Sequence, residues 1–316
     1  MKGAALRQML KPWMLPIAML TGILFHGYIH HIAFLTPYLI FLMLLITFCR
    51  IDPRHIAVDG MSVRLLAVQL LMSLALYFAL VWIDPVLAQG AFICVFCPTA
   101  TAAPVVTGML GGSVPRLVTY SLVSNITVAL TAPLAFTMMN AAEMDFLGTA
   151  AAIGAKVAPL ILLPLVVAMV MKKALPRLHG ALSSHQGVSF YVWAVSLVIV
   201  VGNSVSFIMA EPSEALWQTL WLAAIAGAAC ALQFGIGRVI GSRAGDKIAG
   251  AQGLGQKNTV LAIWMAMTYL NPLSSVAPAA YVAWQNTVNS LQLYLKQKRA
   301  LTAPLPGAEH KARSKR

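Results

Sequence analysis

Long apolar segments recur along this chain, parted by short polar or basic stretches. They fall at residues 13–25, 32–49, 62–83, 85–112, 117–139, 148–171, 188–209, 215–237, 248–270 and 275–295. Runs of this length and polarity predict transmembrane helices. The first is short and follows Lys2, Arg7 and Lys11, which gives it the outline of a signal peptide. No small-x-small cleavage site follows, and His26-Gly27-Tyr28 leads into the second run. The first run is therefore expected to stay as an uncleaved helix.

Two of the runs carry helix-breaking sequence at their middle. The fourth contains Cys97-Pro98-Thr99-Ala100-Thr101-Ala102-Ala103-Pro104. Neither proline can donate a backbone hydrogen bond, and each disfavours helix at the residue before it. The ninth is interrupted at Gly253-Leu254-Gly255-Gln256-Lys257-Asn258. One such site alone reads equally well as a proline kink, but two at matching places predict two broken helices. Irregular backbone at membrane depth survives only inside protein or beside water, and in secondary transporters it forms the binding site.

Composition places the chain among all-α polytopic membrane proteins. Its 316 residues are 59% hydrophobic and 10% charged, with mean hydropathy +0.80. The net charge of +13 does not mark a nucleic-acid binder, because the basic residues lie in short loops and in the tail. With ten spans and the N-terminus inside, every Lys and Arg outside a span falls on the cytoplasmic side. Both termini are then cytoplasmic, in the inner membrane. Five spans starting inside and five starting outside form an inverted repeat, residues 1–146 and 147–299. Gln69 and Gln233 lie in the third helix of each half, and the fourth helix of each half is the broken one. Residues 300–316 read as a basic cytoplasmic tail, disordered or lying on anionic lipid headgroups.

The candidate chemistry is sparse. Cys49, Cys94, Cys97 and Cys230 read as buried free thiols, and the histidines as interfacial residues, so no metal or cofactor is expected. All nine acidic residues lie in loops, the tail or span ends. That argues against a buried carboxylate for proton coupling or a cation. Lys257 stands out, since an ammonium inside a span costs several kcal/mol unless it is paired or hydrated. It is expected to be held by backbone carbonyls, helix C-terminal ends or a bound anion. Lys156, also within a span, reads as snorkelling outward or as part of the site.

Gln69, Cys97-Pro98-x-x-Thr101-Ala102, Gly255-x-Lys257-Asn258 and Trp284-x-Asn286, in this order over residues 13–296, resemble the bile acid:sodium symporter family. The resemblance implies a core of helices three to five and eight to ten in which the two broken helices cross. It also implies a moving panel of helices one, two, six and seven, with substrate in the groove between. In sodium-coupled members of that family, a Ser-Asn pair, a Glu and a Gln hold the ions. The matching positions here are Ala103, Pro104, Gly253 and Lys257, so sodium coupling of the family's kind is not expected. Gln69 matches a further ion ligand.

On this reading the protein is a secondary transporter of a small organic anion by alternating access, not an enzyme, with membrane lipid as its other partner. Thr99, Thr101, Gln256, Asn258 and Thr259 would hydrogen-bond at the crossing, and Lys257 would supply the charge. Gln69, Asn125 and Asn286 would support it from neighbouring helices. The alternatives are an arsenite-type efflux permease, for which Cys97 is well placed, and a non-transporting membrane sensor or scaffold.

Overall fold

The computed structural model describes residues 14–49, 57–100, 103–139, 146–184, 186–210 and 215–302. The described chain is helical throughout: α1 Met14–Leu24, α2 His26–Ile29, α3 Thr36–Phe48, α4 Gly60–Leu80, α5 Pro85–Phe96, α6 Ala103–Leu110, α7 Val114–Met139, α8 Phe146–Ala174, α9 Pro176–Ser184, α10 Gln186–Ala210, α11 Ala215–Arg243, α12 Lys247–Gly255, α13 Thr259–Tyr269 and α14 Val276–Thr302. Two 3-10 turns, His30–Leu35 and Pro272–Ser275, lead into α3 and α14. Five stretches, in or overlapping α3, α4, α7, α8 and α11, are long and apolar enough to cross a membrane; α5, α13 and part of α10 are shorter apolar helices. This is an all-α membrane protein.

Several helices outrun the hydrophobic runs that mark them. α11 continues to Arg243 and α14 to Thr302, because their last turns carry polar and basic residues that hydropathy does not count. Residues 300–302 of the expected tail are helical, and residues 303–316 lie outside the described residues. The ninth run is broken more narrowly than its glycines imply. Gly253 and Gly255 are helical, and the interruption is confined to residues 256–258.

Three carboxylates fix helix starts. Asp84 accepts from the amides of Val86 and Leu87 at the head of α5 and from Gln218 Nε2 in α11. Asp246 caps α12 through Ala249 N and also accepts from Ser113 N. Asp59 caps α4, accepting from Ser62 N and Oγ, with Arg116 Nε at 3.3 Å. Partial burial pushes the Asp59 carboxyl up, but the Ser62 bonds and the Arg116 charge outweigh it and hold the group below its ordinary value.

A depressed folded value means that this stabilisation is full above the unfolded carboxylate value of about 4 and is lost as pH falls through the folded value. Asp59→Ala is expected to cost about 1 kcal/mol at neutral pH. Thermal melts in detergent should show that gap narrowing as pH falls below the unfolded carboxylate value. A gap as wide at low pH as at pH 7 would contradict this account.

α5 is buried on every side from Leu87 to Phe96. One face joins an aromatic cluster of Phe92, Phe96 and Phe136; the other packs through Cys94 and Val95 on Leu222, Ala226 and Cys230 of α11. α11 and α12 cross with backbones in contact at Gly237, Gly241 and Gly250, where a Cβ on Gly250 would run into the other two. Elsewhere α1 lies along α10, and α3 packs on both α8 and α10. Together these contacts bring the α5–α6 and α12–α13 interruptions to one place.

Candidate functional site

Each interruption leaves backbone groups that its own helices cannot pair, and deep in the protein these must find partners. The two interruptions satisfy each other. They run antiparallel, with Ala100 N donating to the Gln256 carbonyl at 3.0 Å and Asn258 N to the Pro98 carbonyl at 2.8 Å. Thr99 and Lys257 face each other in a single-residue β-bridge between them.

Side chains from other helices take the remaining carbonyls. At the end of α5, Val95 O accepts from Lys257 Nζ at 2.7 Å and Phe96 O from Gln69 Nε2 at 2.6 Å. Gln69 Nε2 also reaches Cys97 O at 3.3 Å, and Gln233 Nε2 reaches Cys94 O at 3.3 Å. At the end of α12, Gly253 O accepts from Thr99 Oγ1 and Gly255 O from the Tyr281 hydroxyl, both at 2.8 Å. Lys257 N donates to Gln285 Oε1 at 2.9 Å. The Cys97 thiol donates to Asn258 O at 3.2 Å, and Asn258 Oδ1 caps α13 by accepting from Leu261 N.

Lys257 is 1% exposed. Its ammonium caps the negative end of α5, where the unpaired carbonyls of a helix terminus attract a cation. No ion pair to Lys257 forms among the described residues. The three acidic residues in the described chain are the N-caps Asp59, Asp84 and Asp246. The crossing therefore holds a buried lysine that none of the described carboxylates pairs.

The sequence-expected residues are placed differently. Gln69 and Thr99 have their side chains engaged by protein groups at the crossing. Gln69 uses its amide on two carbonyls, and its Oε1 accepts from the Tyr120 hydroxyl at 2.8 Å and Ser124 Oγ at 2.9 Å. Gln256, Lys257, Asn258 and Thr259 are at the crossing and at most 4% exposed. Gln256 Oε1, Asn258 Nδ2 and Thr259 Oγ1 have no hydrogen-bond partner among the described residues. Asn125 donates to Ser121 O one turn back in α7, and its Oδ1 is likewise unpartnered there. Thr101 lies outside the described residues. Asn286 is half-buried, and its neighbour Gln285 is the α14 side chain that reaches the crossing. Lys156 is exposed on α8.

Gln233, Tyr281 and Gln285 also build the crossing. The amides Gln285, Asn289 and Gln292 fall on one helix face, a spacing legible in the sequence. Gly253, aligned above with a family carboxylate, packs on the Tyr120 ring, which a Cβ would meet at 2.9 Å. The four cysteines are buried and unpaired.

No family model matches the chain, and no curated protein is detectably similar to it.

Proposed function

We propose that this protein is a secondary transporter of a small organic anion, with the crossing of the two broken helices as its site. One observation carries the reading: a fully buried lysine without a carboxylate partner among the described residues, beside unpaired polar atoms at the start of α13. The first-turn amides of a helix and its positive end favour an anion. Asn258 Nδ2 and Thr259 Oγ1 would donate to a substrate carboxylate or sulfate there, and Lys257 would balance its charge. Outside a transporter or channel, interrupted helices around a buried charge have little use in a membrane protein.

Ten spans, cytoplasmic termini and an inverted repeat belong to the same reading. Two matched pairs support the repeat: Gln69 with Tyr120 in the first half, and Gln233 with Tyr281 in the second. In each, a glutamine three helices before its tyrosine is hydrogen-bonded to it; Gln69 braces the first break through Phe96 O, and Tyr281 braces the second through Gly255 O. α1, α3, α8 and α10 pack on one another as a panel would, and α8 also packs along α7, where the panel would meet the core. Alternating access would then be movement of that panel against the core.

The coupling ion is not sodium bound in the manner of the resembling family. Gln69 has its oxygen and amide in use, and a carboxylate at position 253 would have to displace Tyr120. The Cys97 thiol, on which the arsenite reading rests, is fully buried and donates to the Asn258 carbonyl.

The test is a thermal-stabilisation screen of purified protein against organic acids, followed by uptake into proteoliposomes. Thr259→Val keeps the shape and removes one hydroxyl, so affinity for the best ligand should fall roughly 2- to 10-fold with the melting point little changed. If no organic anion stabilises the protein or enters the liposomes, the transporter reading fails. If one does and Thr259→Val binds it equally well, the ligand sits elsewhere.

A further inference from the structure

Four residues of α14, Gln285, Asn289, Gln292 and Lys296, recur at intervals of four, three and four and so share one face of the helix. That face spans roughly 16 Å at 1.5 Å per residue, about half of a 30 Å hydrocarbon core. Exposure rises steadily along it. Gln285 at the crossing is 1% exposed and Asn289 5%; Gln292 is half-buried and Lys296 exposed. Lys296 Nζ donates to Met109 O at the far end of α6. Gln252 of α12 and Gln256, just past its end, are 0% and 4% exposed. Gln252 Nε2 bridges to Asn289 Oδ1 at 3.0 Å and Gln292 Oε1 at 3.1 Å.

A dry seam between helices would be lined with aliphatic side chains. Here Gln252 Oε1, Gln256 Oε1, Asn289 Nδ2 and Thr107 Oγ1 of α6 are buried and without a partner among the described residues. Turning any amide by 180° exchanges which end is unpaired without satisfying the set. Donors and acceptors left over together, on helices that pack around one line, are what bound water satisfies with two to four bonds each. α6 packs on both α12 and α14.

We propose that α6, α12 and α14 enclose a hydrated passage that brings water and small anions to the crossing from the side where Lys296 lies. It rests on the transporter reading only for the purpose the passage serves. It lies within the helices that hold the crossing, apart from any groove against α1, α3, α8 and α10. Its walls are neutral amides, and a lysine stands at each end. Such a passage admits water and anions and rejects cations.

The test uses the full chain in liposomes, with Gln292→Cys, Asn289→Cys and Gln252→Cys made singly. Each is exposed to 2-sulfonatoethyl methanethiosulfonate, and labelling is read by peptide mass spectrometry, with buried native Cys230 as the internal standard. The engineered thiols should react in the order 292, 289, 252, each at least about tenfold faster than Cys230, since reaction follows access and thiolate formation. The trimethylammonium analogue should label position 289 roughly tenfold more slowly than the sulfonate. Thiols at 289 and 252 as inert as Cys230 would overturn the passage and show a dry amide lock. Faster labelling by the cationic reagent would overturn its charge selection. If Gln252→Cys does not fold, the two α14 positions decide alone. Labelling needs no transported substrate, so this result and the uptake assay fail independently.

Discussion

Lys257→Met is expected to abolish most anion binding while leaving the unliganded protein folded. Methionine fills a similar volume without the charge. The lost charge-assisted interaction is worth about 1.5–3 kcal/mol, which is roughly a 10- to 100-fold loss of affinity. Stability of the empty protein should move little, because two effects oppose. Val95 O loses its cap, and a buried charge without a counter-ion is removed. Wild-type affinity should also be nearly equal in sodium, potassium and choline at fixed ionic strength, since Lys257 carries the positive charge itself. The measurement is substrate affinity across a sodium titration for both proteins. A steep rise of wild-type affinity with sodium, or full affinity in Lys257→Met, would remove the tethered cation from the account.

Gln69→Leu should be the most damaging single change to the fold. It leaves Phe96 O, Cys97 O, the Tyr120 hydroxyl and Ser124 Oγ without their bonds, all in the interior. At about 1–3 kcal/mol for each buried group left unpaired, the cost approaches the whole stability of a typical domain. Little folded protein should be recovered, as judged by size-exclusion profile and melting point in detergent. Gln233→Leu should be milder, because Gln233 makes two bonds, to Cys94 O at 3.3 Å and the Tyr281 hydroxyl at 3.0 Å. A Gln69→Leu protein that melts like wild type would mean that the end of α5 finds other partners.

The two breaks were legible because proline and a buried lysine are local signals that no apolar helix tolerates without cause. Their extent was not. Gly253 and Gly255 read as punctuation, yet they are helical and small because Tyr120 and Phe234 press against them. Gln69 was legible as important, but its role depends on carbonyls 27 and 28 residues away, which local pattern does not reveal. Asn286 was chosen from a motif, and the helix turns Gln285 inward instead. The helical phase set by the amides at 285, 289 and 292 carries that orientation in the sequence. Of the acidic residues, the three described ones are helix caps, and Asp84 and Asp246 cap the first halves of the two broken helices.

The partners that complete the first break come late in the chain. Val95 O waits for a lysine 162 positions onward, and Cys97 for a carbonyl 161 positions onward. At ribosomal speeds of 5–20 residues per second, α5 emerges roughly 8–30 s before Lys257 is made. Throughout that interval its frayed end is in the membrane with its tertiary caps incomplete. The nascent first half is therefore an unfinished product that insertion machinery or a membrane chaperone must shelter. Expressed without the second half, it should be cleared by quality-control proteases, and co-expression of the two halves as separate chains should rescue it.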